Sequence, residues 1–352
     1  MDKKKIAVIG VGGISECHIA GYKQNPNAEL VAFCDINEAR LREKGAKHGV
    51  TNLFTDVHQM LAAMPEIDAV SVCTWNCAHA PCTIAALNAG KDVLCEKPMA
   101  MNAAEAQQML DAARRSGRLL MIGFVRRHGN DCRILRDFIE AGAMGDIYYA
   151  KAAYLRRHGC PGGWFSDSAR SGGGPLIDLG VHVIDLARYL GGCPRPVSAY
   201  GATFSQLGCR PEMKNGVAYR ASDEGATSDV EDFATGLIRF DNGMVIAIET
   251  SYDMNLPGDN NITLLGTKAG ATLSPEIKLF PNLQNYPVNV QFDMPTELSF
   301  DGLFDREINH YIDCICGKAE CIAPAEDGVT MMKILDALYE SARTGHEVLI
   351  SD

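Results

Sequence analysis

The sequence predicts an α/β chain in which an N-terminal Rossmann-like, doubly wound parallel sheet precedes an α+β domain with a large, mostly antiparallel open sheet. Three observations predict this. Strand-like and helix-like stretches alternate at the start of the chain; the second half turns β-rich; and 352 residues with 47% hydrophobic content exceed one typical domain and suffice for two cores. The expected boundary separates residues 1–123 from 124–352, with the C-terminal helix packing back on the first domain as an open option.

The first strand is the apolar run Ile6 to Ile9, which stops at Gly10-Val11-Gly12-Gly13-Ile14-Ser15. A strand feeding a glycine turn and then a helix suits a pyrophosphate, because the backbone must come close and the helix start offers unpaired N–H groups. Ser15 stands where the third glycine of the usual fingerprint falls, and its small side chain still permits close helix–strand packing. A second strand, Leu30 to Cys34, ends in Asp35, placed as a ribose-binding carboxylate should be. Asp35 would accept from a 2′-hydroxyl and repel a 2′-phosphate, which favours NAD over NADP, although Arg40 lies close enough in sequence to blur the choice. A glycine turn alone is commonly just a turn; strand, helix and carboxylate together point to a dinucleotide.

Further strands are expected at Ala69 to Cys73, Asp92 to Cys95 and Leu119 to Ile122, with a helix at Ala103 to Ser116. Glu96-Lys97-Pro98 follows the fourth of the five strands so assigned, at the carboxyl edge where open α/β sheets bind ligands. In isolation these three residues would read as a surface turn.

Beyond Gly123 the pattern predicts a helix near Asp131 to Ala141, a strand from Ile147 to Tyr154 and a glycine-led helix from Pro175. That helix carries Asp178 and His182, four apart and so about one turn apart on one side. Such a pair is either an ordinary polar contact or general acid/base equipment in which the acid orients the ring. Segments Asp232 to Phe240 and Met244 to Ser251 flank Asp241-Asn242-Gly243, a hairpin signal. A turn at Asn242-Gly243 would put Ile238, Phe240, Val245 and Ala247 on one face. Strands near Asn261 to Leu265 and Ala271 to Leu273 continue the sheet. A helix from Glu326 to Thr344 presents Met331, Leu335, Leu338 and Ala342 to the core. The polar stretch from Gln206 to Thr227 reads as a loop, either mobile or reaching a neighbouring subunit.

A formal charge of −11 argues against nucleic acid as the main partner. Two local basic segments, Arg126-Arg127-His128 and Arg156-Arg157-His158, either bind substrate or serve as solvated or ion-paired structural charges. The thirteen cysteines lack paired C-x-x-C zinc spacing, so reduced, buried thiols and no metal are expected. No apolar stretch is long enough to span a bilayer, and no secretory signal precedes the first strand, so cytoplasm is the expected compartment.

Taken together, the turn at Gly10, the segment Cys73-Thr74-Trp75-Asn76-Cys77-Ala78-His79, Glu96-Lys97-Pro98, Gly123-Phe124-Val125-Arg126-Arg127, and Gly172-Gly173-Gly174 through Asp178, His182 and Asp185 resemble one family. It is the glucose-fructose oxidoreductase, inositol dehydrogenase and rhizopine-catabolism dehydrogenase family, and the resemblance covers nearly the whole chain. It implies a catalytic trio of Lys97, Asp178 and His182, with Asp185 as a further orienting carboxylate. It implies cofactor contacts at Gly10, Gly12, Gly13, Ile14, Asp35, Arg40, Thr74, Trp75, Asn76, His79, Glu96, Lys97 and Arg126. Trp75 stands where relatives usually carry proline. Substrate contacts are implied at Lys97, Arg127, Arg157, His158, Trp164, Asp178 and His182, with Trp164 either stacking on a sugar face or anchoring its loop. The implied reaction is oxidation of a secondary hydroxyl of a sugar, anhydrosugar or cyclitol by hydride transfer to nicotinamide, in a homodimer or homotetramer. A glycosidase that retains NAD and a non-catalytic dinucleotide-binding regulator are the alternatives.

Overall fold

The computed structural model describes residues 3–210, 213, 220–221 and 228–351. Most of the expected 206–227 loop therefore lies outside the described residues. The chain forms two compact units. One holds the chain up to His128 together with Phe300–Val329, and the other holds Gly129–Ser299 and the chain from Thr330 on.

The first unit is a six-stranded parallel sheet of β1 (Lys4–Ile9), β2 (Ala28–Cys34), β3 (Asn52–Phe54), β4 (Ala69–Val72), β5 (Asp92–Glu96) and β6 (Leu120–Gly123), in the order β3-β2-β1-β4-β5-β6. Its helices are α1 (Ser15–Gln24), α2 (Glu38–His48), α3 (Val57–Ala63), α4 (Asn76–Asn88) and α5 (Ala103–Ser116). Every residue of β4 and β6 is buried, as a sheet covered on both faces requires. Three helices start on side chains that accept the third helical N–H: Asn37 from Arg40, Asp56 from Gln59 and Asn102 from Glu105. Strand order reverses between β1 and β4, which sets a topological switch point at their carboxyl ends.

The second unit opens with α6 (Asn130–Glu140) and β7 (Ile147–Leu155). The short α7 (Ser168–Ser171) precedes a widened π-type turn at Leu176–Gly180 that runs into α8 (Val181–Leu190). There follow β8 (Pro196–Phe204), β9 (Phe233–Phe240), β10 (Val245–Ser251), β11 (Asp259–Gly266), β12 (Ala269–Thr272), β13 (Lys278–Leu283) and β14 (Tyr286–Pro287). The chain then returns to the first unit through α9 (Leu303–Ile315) and the first turn of α10 (Ala325–Thr344). The closing strand, β15 (Val348–Leu349), pairs with β8. Within the first unit α9 packs on α1, Asn25 donates to Asn309 at 2.7 Å, and the Ile122 N–H donates to the Ala323 carbonyl at 2.9 Å.

The nine strands of the second sheet run β14-β13-β12-β11-β7-β10-β9-β8-β15, and only β7 and β10 pair in parallel. One face is apolar and closed, with Ala150, Ala152, Ile238, Ile246, Ile248, Ile262 and Leu264 buried. The other exposes Tyr200, Phe204, Leu237, Leu265 and Phe280. The hairpin register corrects the expected face. Phe240 donates to and pairs around Met244, Gly243 takes φ 85°, and Ile238 lies opposite Ile246. The loop therefore holds three residues, one more than a turn confined to Asn242-Gly243. That one-residue difference puts Ile246 and Ile248 beside Ile238 and sends Val245 and Ala247 to the opposite face. Among the described residues no helix is long and apolar enough to cross a membrane.

Candidate active site

In the first unit the site is built on the glycine turn. The Gly10 N–H donates to the Cys34 carbonyl at 2.8 Å. Gly10 has φ 84°, and a Cβ there would stand 2.7 Å from the Cys73 carbonyl group. Only glycine lets β1 and the exit of β4 approach this closely. Gly12 differs, since a Cβ built on it meets nothing within 4 Å. This open space lies just before α1, where a pyrophosphate would meet the helix's unpaired N–H groups, so the turn fits a dinucleotide. Ser15 is fully buried and donates to the Gly12 carbonyl at 2.7 Å, which ties the turn to the helix start.

Asp35 is held at the end of β2. Its two carboxylate oxygens accept the Val11 and Asn37 N–H groups, each at 2.8 Å, and the Arg40 guanidinium lies 3.9 Å away. The carboxylate is thus fixed beside the glycine turn, as a ribose acceptor must be.

Glu96-Lys97-Pro98 is held from two helices. His18 of α1 lies with Nε2 2.8 Å from Glu96 Oε1, and the Lys97 N–H donates to Glu96 Oε2 at 3.2 Å. His79 of α4 donates from Nδ1 to the Pro98 carbonyl at 2.7 Å. Burial pushes the His79 imidazole below its ordinary pKa against the pull of the Pro98 carbonyl and of the Thr74 carbonyl, 3.2 Å from Nε2. Thr74 and Trp75 are half-buried ahead of α4, with the Thr74 hydroxyl donating to the Trp75 carbonyl, and Asn76 is buried at its first turn.

Arg126 and Arg127 sit on the buried turn Val125–His128. Arg127 is buried and ion-paired. Its guanidinium has no exposed surface, lies 2.8 Å from Asp327, donates to the Ile322 carbonyl and sits 5.0 Å over the Phe124 ring.

The second unit holds Asp178 on the widened turn and His182 at the start of α8. Glu231 clamps the approach to that turn. It accepts from the Gly174 N–H at 2.9 Å, the Leu176 N–H at 3.0 Å and the Tyr339 hydroxyl at 2.9 Å. Burial raises the pKa of Glu231 while these donors work in the opposite direction. The glycines follow from this clamp: a Cβ on Gly173 would stand 2.2 Å from the Tyr339 hydroxyl, and one on Gly174 2.3 Å from the Glu231 carbonyl.

Tyr252, fully buried on the strand side, donates to Asp178 Oδ2 at 2.9 Å. Burial, reinforced by the Asp178 charge, lifts the Tyr252 phenol well above its usual pKa. The Tyr154 ring lies 6.4 Å from the His182 ring, and the Arg156 guanidinium 5.3 Å from the Tyr154 ring. Burial works against the Arg156 charge, but Tyr154 and Asp178 outweigh it and raise its pKa. Tyr154, Arg156, Asp178, His182 and Tyr252 thus gather in one patch.

Sequence reasoning named the segment Arg156-Arg157-His158 but carried Arg157 and not Arg156 forward as a substrate contact, and it passed over Tyr252. Arg157 is exposed. The available signal was period two continued past the end of β7 at Leu155, which puts Tyr154 and Arg156 on one side and Arg157 on the other. His158 lies 3.0 Å from Asp253, which Arg210 also engages at 2.8 Å. Trp164 packs against Phe165 with ring centroids 3.9 Å apart. The expectation of thiols throughout is corrected at one pair. Cys160 and Cys209 are joined in a disulfide packed beside Leu179 and Tyr252, while the other eleven cysteines form no disulfide. A bridge between residues 49 apart has no local spacing signature, which is why the cysteine pattern did not disclose it.

Comparison with known proteins agrees with the fold. The model of an oxidoreductase family with an NAD-binding Rossmann fold matches residues 4–124, and that of the GFO/IDH/MocA C-terminal domain matches residues 132–272. The chain is 35% identical over 348 residues to D-glucoside 3-dehydrogenase of Escherichia coli (strain K12), covering 98% of this chain and 97% of that one. It is 30% identical over 264 residues to myo-inositol 2-dehydrogenase of Thermotoga maritima, covering 75% and 73%. A levoglucosan dehydrogenase solved in complex with NADH shares the fold, with a TM-score of 0.86 at 22% identity over the full length of both chains.

Proposed function

From the premise that this chain belongs to the Gfo/Idh/MocA oxidoreductase family, we propose that it oxidises a secondary ring hydroxyl of a sugar, anhydrosugar or cyclitol with NAD. The observation that carries the cofactor reading is the glycine turn, with open space over Gly12 and Asp35 fixed beside it. When bound, the nicotinamide supplies the hydride acceptor. NAD is favoured over NADP because a 2′-phosphate would meet the Asp35 carboxylate.

In the proposed mechanism His182 takes the hydroxyl proton, Asp178 orients the imidazole, and the Lys97 ammonium stabilises the developing alkoxide. The hydrogen bond from Tyr252 to Asp178 and the clamp on Glu231 support a fixed acid–imidazole segment. The Glu96 and His79 contacts support a fixed lysine. Identity to a glucoside 3-dehydrogenase supports a pyranoside among the substrate classes. The uncovered apolar strand face, with Tyr200, Phe204, Leu237, Leu265 and Phe280, supports assembly into a homodimer or homotetramer.

The test is a panel of methyl glucopyranosides, D-glucose, levoglucosan and myo-inositol, each with NAD and with NADP, following absorbance of the reduced cofactor. Stoichiometric NADH is expected from at least one member. Release of free glucose from a methyl glucopyranoside without net reduction would replace this reading with a glycosidase.

A further inference from the structure

Beneath the Glu96-Lys97 turn lies a polar cluster that the proposed mechanism does not use. His18 of α1, Glu96 of β5 and Glu307 of α9 are buried, and one ligand atom from each lies within 4.8 Å of the others. Glu307 has no exposed surface, and neither of its carboxylate oxygens has a hydrogen-bond partner among the described residues. A bare carboxylate there would cost several kcal/mol of desolvation, so the site needs a counter-charge or a proton.

A metal ion is a poor fit. Both ring nitrogens of His18 are engaged, Nδ1 at 3.1 Å from the Ser71 hydroxyl and Nε2 at 2.8 Å from Glu96. The Ser71 hydroxyl is in turn 2.7 Å from that of Tyr22. A ligating imidazole needs a free lone pair, and none is on offer without breaking this chain. Beside burial, the charge that acts on Glu307 is that of Glu96, and among the described residues no cation is seen to offset it. Cys17 and Tyr22 of α1 and Cys73 after β4 lie close enough for a Glu307 charge to act on them, and Tyr311 lies one turn along α9. The turn Val125–His128 also packs on α9, but its Arg127 is paired with Asp327 and its His128 ring lies beside His310.

We propose that Glu307 is a positioning residue for Lys97, present as an un-ionised carboxyl group that leaves Glu96 as the single anion joining His18 to the Lys97 N–H. Burial and the Glu96 charge both push the Glu307 pKa well above the ordinary carboxylate value, in keeping with this geometry. Glu96 is held below its ordinary value despite burial, because His18 and Lys97 favour its charge. The proposal rests on the reading of Lys97 as a catalytic residue.

The sign of the pH dependence follows. A group whose folded-state pKa is raised contributes stability that is complete below its unfolded pKa and is lost as pH rises through the folded value. Glu307→Gln keeps the neutral shape and cannot ionise. It is therefore expected to gain thermal stability relative to the parent as pH rises from about 5 to 9, with kcat on the best panel substrate held within about twofold. Glu307→Leu fills the space but leaves Glu96 without the polar group that stands within 4.8 Å of it. It is expected to bind NADH normally by fluorescence, lose about tenfold in kcat and show a displaced pH–kcat profile.

If Glu307→Gln loses stability relative to the parent as pH rises, the group is ionised in the fold and the proposal fails. Wild-type kcat and pH profile in Glu307→Leu would make Glu307 structural only. A stoichiometric metal in the purified enzyme would likewise overturn it. Should Lys97→Ala retain full activity, the reading of Lys97 falls, whereas the stability arm still reports the charge state of Glu307.

Discussion

Gly10 and Gly12 stand two residues apart in one turn, yet alanine at each should fail in a different way. At Gly10 the new Cβ would lie 2.7 Å from the Cys73 carbonyl group and 2.8 Å from the Thr74 nitrogen. These are backbone atoms and cannot swing aside as a side-chain tip could. The φ of 84° adds about 1–2 kcal/mol for an L-residue in the left-handed region, and relief of the overlap adds a further roughly 1–3 kcal/mol. Gly10→Ala should therefore lose about 2–5 kcal/mol of stability, read as the midpoint of urea unfolding. At Gly12 the Cβ meets nothing, so Gly12→Ala should unfold within about 0.5 kcal/mol of the parent. Its methyl group projects instead into the space assigned to the pyrophosphate. NADH affinity, titrated by fluorescence quenching, should fall at least about tenfold, equivalent to roughly 1.4 kcal/mol. If Gly12→Ala binds NADH like the parent, the pyrophosphate does not approach this turn and the cofactor placement is wrong.

Three further outcomes are expected. Asp35→Ala should weaken NAD binding and narrow the preference over NADP, measured as the ratio of the two kcat/KM values; an unchanged ratio would remove Asp35 from the ribose site. His182→Asn should keep the unfolding midpoint and NADH affinity while alcohol oxidation drops about a hundredfold or more and the imidazole-dependent limb of the pH–rate profile disappears; retention of that limb would move the base elsewhere. Glu231→Gln should lose about 1–3 kcal/mol of stability, because an amide nitrogen would then face an N–H donor at Gly174 or Leu176; an unshifted thermal midpoint would show that the clamp carries no load.

The first unit was legible because its signals are local. A strand, a glycine turn and an acid at the next strand end lie within the first 35 residues, and each constrains backbone geometry where it stands. The hairpin signal at Asn242-Gly243 correctly placed a turn but not its length, and a single residue in the loop decided which of Val245 and Ile246 faces the core. What escaped was long-range. Glu231 meets Gly174 across 57 positions, Cys160 meets Cys209 across 49, and Arg127 finds Asp327 across 200. Such partners leave no periodic trace, since buried charges and thiols are matched by the fold and not by spacing. Lys97, Asp178 and His182 were singled out through short motifs and Arg156 only as part of a basic segment, while Tyr252, which donates to the acid, sits in ordinary strand-end sequence.

The return of Phe300–Val329 to the first unit bears on how the chain is made. Until that segment leaves the ribosome, α1 lacks the helix that covers it, the Ile122 N–H lacks its carbonyl, and Arg127 lacks its counter-ion. Translation of the intervening stretch takes roughly 10–35 s at ordinary rates. Throughout that interval the nascent nucleotide-binding half exposes an unfinished sheet edge, open to chaperones and to mispairing, and a fragment truncated after β6 would be left permanently in that condition.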